Sequence, residues 1–129
     1  MFSAKVVFSG FSVDDLSKAK KFYSETLGLT NTSDEMGLNF KLPGGGEIFI
    51  YNKPDHQPAS FTILNFVVDN IDKAVDELIG IGVTFEKYDN MPFKQDKKGI
   101  ARGLSIDQGP DIAWFKDPAG NILAVLQVN

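Results

Sequence analysis

Two periodicities organise the chain, one of two residues and one near 3.6. Residues 5–13 alternate as a strand does, with Phe8, Gly10 and Ser12 on one face and Val7, Ser9, Phe11 and Val13 on the other. Leu16, Ala19, Phe22, Tyr23 and Leu27 then form one stripe of an amphipathic helix. Asp14 stands where an N-cap belongs, and Gly28 where the helix should stop. Three short strands are expected next, at 30–34, 37–41 and 47–53. Pro43 and three following glycines make the loop before the last of them. Residues 54–60, with two prolines and His56, read as a linker. A second half starts with a strand at 61–68 and a helix striped by Ile71, Ala74, Val75, Leu78 and Ile79. Strands are expected at 83–87, 104–107, 111–116 and 122–128, with Asp117 to Asn121 as a turn. Residues 89–103 are polar, with Met91, Pro92 and Phe93 among them, and read as a lid.

The two halves repeat each other. Phe11 matches Phe66, Val13 matches Val68, Asp14 matches Asp69, Leu16 matches Ile71 and Ala19 matches Ala74, always 55 positions apart. Each copy is a strand that ends in an acidic or amide pair and turns straight into a helix. A repeat of this size sets the architecture, and two copies fit a duplicated module. Each half is strand, helix, then a run of further strands. The expected class is α+β, with helices on one sheet face. Module 1 spans 1–53 and module 2 spans 61–129, within a single domain by length.

Composition narrows the function. A net charge of −4, with no run of basic residues, argues against a nucleic-acid partner. No apolar stretch reaches the roughly 18 residues that cross a bilayer. The first residues are too short for a secretory signal, and cysteine is absent, so a cytoplasmic protein is expected.

Val13-Asp14-Asp15-Leu16 with Lys18-Ala19 and Phe22-Tyr23, then Phe66-Val67-Val68-Asp69-Asn70-Ile71 with Ala74, and the closing Phe115-Lys116-Asp117-Pro118-Ala119-Gly120-Asn121, carry a family resemblance. The chain resembles the vicinal oxygen chelate superfamily, which includes glyoxalase I, extradiol dioxygenases and bleomycin-resistance proteins. The resemblance implies two paired βαβββ modules in an open, curled mixed β-sheet with helices outside. It also implies four metal ligands, two per module, on the cavity face. Carried onto this chain, those positions are Phe8, Ile63, Ala124 and either Ile48 or Ile50. None has a lone pair to give a metal. No metal and no cofactor are therefore expected, and glyoxalase I-type lyase activity is not. Glu47 adjoins a ligand position and is expected on the opposite strand face.

The cavity face should also hold Ser12 and Asn65. Asn65 is a polar amide inside an apolar strand, so it needs a backbone, water or ligand partner. Trp114 is the aromatic residue whose N–H most needs a partner, and Phe93 lies in the lid. The same apolar residues could pack on one another and leave no pocket. The reading carried forward is a metal-independent protein that binds a small apolar or aromatic ligand, as a homodimer by analogy. The residues proposed to line the site are Phe8, Ser12, Ile48, Ile50, Ile63, Asn65, Phe93, Trp114 and Ala124. The alternative is an enzyme of the same superfamily using Tyr51, Tyr88 or Glu86 for proton transfer. No Ser–His or His–acid pair is evident in the sequence, and His56 reads as an exposed linker residue.

Overall fold

The computed structural model describes residues 1–89, 92 and 94–129. The chain forms two compact units, Met1–Pro58 and Ala59–Asn129. The first contains β1 (Ser9–Val13), α1 (Leu16–Lys21), β2 (Thr30–Ser33), β3 (Leu38–Lys41) and β4 (Glu47–Asn52). The second contains β5 (Thr62–Val67), α2 (Ile71–Gly80), β6 (Ala101–Arg102), β7 (Asp111–Lys116) and β8 (Ile122–Gln127). Each unit holds one mixed four-stranded sheet, in the orders β1-β4-β3-β2 and β5-β8-β7-β6. The first strand of each unit lies parallel to its last, and the other pairs are antiparallel. A parallel pair needs a long crossover, which the helix and the two intervening strands supply. The two units thus share the α+β topology that the repeat predicts.

In the first unit the register sets the faces. Phe11 stands opposite Ile50, Ile50 opposite Leu38, and Ile48 opposite Phe40. Leu38, Phe40, Ile48 and Ile50 are buried together with Ala19 and Tyr23 of the helix. The Tyr23 ring lies 5.8 Å from that of Phe11, 5.2 Å from Phe22 and 6.0 Å from Phe40. Each buried side chain of this size contributes about 1.5–3 kcal/mol by leaving water. In the second unit Ile71 and Val75 of α2 are buried, as are Ala113, Phe115, Leu123 and Val125 of the sheet.

The helix starts repeat as well, one residue later than expected. Asp15, not Asp14, caps α1 by accepting from the Lys18 N–H at 3.1 Å. Asn70 caps α2 in the same way, accepting from the Lys73 N–H at 3.1 Å. Beyond Lys21 the helical winding loosens into a π turn over Phe22–Thr26. There the Leu27 N–H reaches back to the Phe22 carbonyl at 2.9 Å. Gly28 then ends the helix at a φ of 71°, a left-handed conformation that costs other residues more.

Three expected strands change. β1 begins at Ser9, so residues 5–8 lie outside it. The stretch 83–87 forms no named strand: Phe85 bridges to Phe115, and the Glu86 N–H donates to the Trp114 carbonyl at 2.8 Å. The stretch 104–107 is no strand: Leu104–Ile106 winds as a 3-10 helix, and Asp107 takes the left-handed conformation. The Asp111 carboxylate holds that curl by accepting from the Leu104 N–H at 3.0 Å.

Candidate functional site

Each sheet turns one face to its helix and leaves the other open. In the first unit the open face carries Gly10 beside Phe49, Ser12 beside Tyr51, and Phe49 beside Asn39. The Phe49 and Tyr51 rings stack, with centroids 5.9 Å apart and planes inclined by 21°. A solvent-open groove of about 390 Å³ lies here, lined by Phe8, Met36, Phe49, Asn39, Ile48, Ser33 and the carboxylates of Glu35 and Glu47. That size lies at the lower end of small-molecule sites.

The sequence reading placed Ile48 and Ile50 on the cavity face. Both lie on the strand face opposite Phe49 and are buried, at 1% and 0% exposure, although Ile48 still borders the groove. Strand parity explains the reversal. Residues 47, 49 and 51 alternate with 48 and 50, and the parallel register with β1 puts the odd set on the open side. Glu47 therefore shares the groove with Phe8, contrary to the expected opposite face.

In the second unit three strands bring Asn65, Ala124 and Trp114 into one row. Asn65 is exposed, Trp114 half-buried, and Ala124 has no exposed surface. The indole is fixed on two sides. Its Nε1–H donates to Thr62 Oγ1 at 3.1 Å, and its ring meets Tyr88 edge-on at 5.7 Å. Burial, and then the charge of Glu86, raise the Tyr88 hydroxyl above its ordinary pKa, so it stays protonated at neutral pH. Ile63 sits at a register irregularity between Thr62 and Leu64 and is half-buried. Phe93, like Met91, lies outside the described residues.

The described part of residues 89–103, the expected lid, is a hydrogen-bonded loop. Gln95 accepts from the Tyr88 N–H at 2.7 Å and donates to the carbonyls of Glu86 and Gly99 at 3.0 and 2.7 Å. Asp96 accepts from the N–H groups of Lys98 and Ile100 at 2.9 and 3.0 Å. Arg102 ties this loop to α2. It makes two bonds to Asp72, at 2.7 and 3.0 Å, and reaches Asp96 at 2.9 Å. The Arg102 hydrogen bond holds the Asp72 carboxyl below its ordinary pKa. Burial pushes Asp96 up, but the Ile100 N–H, Arg102 and the Lys98 N–H outweigh it and the net shift is down.

One pair was missed altogether. Ser12 Oγ and His56 Nδ1 stand 2.6 Å apart, although 44 residues separate them. His56 is half-buried, not a solvent-exposed linker residue. Glu47, Phe49, Tyr51 and Thr62 also belong to the open faces. The alternation of 47–52 shows that 47, 49 and 51 share a face, but only the register says which one.

Of the positions carried over from the family resemblance, Phe8, Ile63 and Ala124 are hydrocarbon and offer a metal no donor. Among the described residues, no three His, Cys, Asp or Glu side chains stand close enough to hold an ion.

Known proteins agree with this fold. No curated protein matches the chain in sequence. An antibiotic-binding protein from Streptomyces sp. CB03234 superposes with a TM-score of 0.66 at 26% identity, covering 99% of this chain and 100% of that one. A superfamily member from Sphaerobacter thermophilus gives 0.68 at 24% identity, covering 96% and 98%. A genomically encoded fosfomycin resistance protein from Listeria monocytogenes gives 0.68 at 17% identity, covering 100% and 96%. A sequence model of the glyoxalase/bleomycin resistance protein/dioxygenase superfamily matches residues 6–125. The chain belongs to that superfamily.

Proposed function

We propose that this chain is a metal-independent small-molecule-binding protein that takes an apolar or aromatic ligand. One observation carries the reading. The superfamily's ligand positions Phe8, Ile63 and Ala124 are hydrocarbon, while the open sheet faces carry fixed aromatic rings. Hydrocarbon and ring faces favour a carbon skeleton over an ion, and a few polar groups then orient it. On the second unit's face Asn65 would supply a hydrogen bond and Trp114 a surface for stacking, and on the first unit's face Ser12 would supply a hydrogen bond. Ala124 is the floor of the row, and Ile63 its flank. Similarity to the antibiotic-binding protein from Streptomyces supports a small-molecule ligand.

The reading includes a cytoplasmic protein with no nucleic-acid or membrane partner, consistent with the net charge of −4. Among the described residues, no helix is long and apolar enough to cross a membrane. It also includes a homodimer, by family analogy. A monomeric mass by light scattering at micromolar concentration would remove that part.

The test is a thermal-shift screen of aromatic metabolites and antibiotics, with and without EDTA. A ligand at 100 times its Kd should add about 2.7 kcal/mol to stability. The expected result is a shift that EDTA leaves unchanged. One metal per chain by elemental analysis, surviving desalting and required for the shift, would overturn the reading.

A further inference from the structure

We propose that Ser12 and His56 form a nucleophile–base pair that accepts acyl groups from activated esters. The inference goes beyond ligand binding and stands without it.

The pair is assembled by the fold. The Lys53 N–H donates to the Val13 carbonyl at 2.9 Å, which prolongs the β1–β4 ladder by one rung. The His56 N–H then donates to the Lys53 carbonyl at 2.9 Å and closes a turn. That turn brings the imidazole back to Ser12, with Oγ and Nδ1 2.6 Å apart. This is the distance at which a base takes a proton from a hydroxyl. In the tautomer that carries its proton on Nε2, the Nδ1 lone pair faces the Ser12 hydroxyl.

The surroundings suit a small ester. Ser12 shares its sheet face with Gly10, Phe49 and Tyr51. Gly10 has no side chain, which leaves low relief two residues from the hydroxyl. The stacked rings of Phe49 and Tyr51 offer an apolar bed for an aryl group.

The step balances as follows. Ser12 Oγ bonds to the ester carbonyl carbon while its proton passes to His56 Nδ1. The carbon–oxygen bond to the leaving group breaks, and the departing oxygen takes that proton and leaves as the alcohol. Water then attacks the acyl-serine, His56 takes its proton and returns it to Ser12 Oγ, and a carboxylic acid departs. Ester and water give acid and alcohol, with no other reactant.

The experiment uses the full chain and p-nitrophenyl acetate. Release of nitrophenol is followed by absorbance, and acetylation is located by peptide mass mapping. The expected result is one acetyl group on Ser12, lost in Ser12→Ala. His56→Ala should slow release on the order of 100-fold, the usual contribution of a general base. In His56→Ala, free imidazole should restore acetylation at Ser12, read by mass mapping and by release above that of imidazole without protein. A merely structural histidine would not allow this. Ser12→Cys, which keeps the nucleophile and the fold, should still be acetylated at residue 12. Acetylation confined to lysines, or equal release by wild type and His56→Ala, would overturn the proposal. A ligand shift in the thermal screen with no Ser12 acetylation would overturn this proposal and leave the binding reading intact.

Discussion

At the scale of single residues, burial separates core from site. Tyr23 is fully buried and touches three other rings, so Tyr23→Ala should cost about 3–5 kcal/mol in urea unfolding. Ala124 also has no exposed surface, between Asn65 and Trp114 in the row. It is the floor of the proposed ligand row, so Ala124→Phe should fill the space above it, leave stability in urea unfolding nearly unchanged and abolish the ligand shift. A loss of about 1–3 kcal/mol would instead mark an overpacked dry core and remove Ala124 from the row. Gly103 is held by close approach, since a Cβ there would stand 2.5 Å from the Pro110 carbonyl oxygen. Gly103→Ala should therefore lower the melting temperature, although its φ of −70° is ordinary.

At the scale of elements, the caps and the Arg102 network matter most. Asp15→Ala and Asn70→Ala each remove an acceptor for a first-turn N–H. Each should cost about 1 kcal/mol by the same denaturant measurement. The network gives a pH dependence. Asp72 and Asp96 both have folded pKa values below the ordinary aspartate value. A depressed carboxyl contributes stability that is present above its unfolded pKa and is lost as pH falls through the folded one. The loop should thus be held firmly at neutral pH and loosen below about pH 4. Hydrogen exchange at Lys98 and Ile100, whose N–H groups Asp96 accepts, should report it. Exchange there that stays constant from pH 6 to pH 3, after correction for the intrinsic rate, would deny Asp96 that role.

At the scale of the whole molecule, the duplication was legible because both copies obey the same local physics. The strands at 111–116 and 122–127, the turn between them and the helix at 71–80 follow from period and turn chemistry. The 55-residue offset maps Asp15 onto Asn70, and both are caps. Legibility failed where pairing decided the outcome. Leu104-Ser105-Ile106 alternates like a strand, yet the Asp111 carboxylate curls it. Ile48 and Ile50 look interchangeable with Phe49 in an apolar run, and the register with β1 assigns the faces. Local sequence determines whether a segment extends or winds, because side-chain spacing and backbone sterics act within a few residues. It also fixed the hydrocarbon at Phe8, Ile63 and Ala124. Which face each strand shows, and which distant groups meet, are long-range matters. Ser12 and His56 meet across 44 residues only because one added ladder rung and one turn place them 2.6 Å apart.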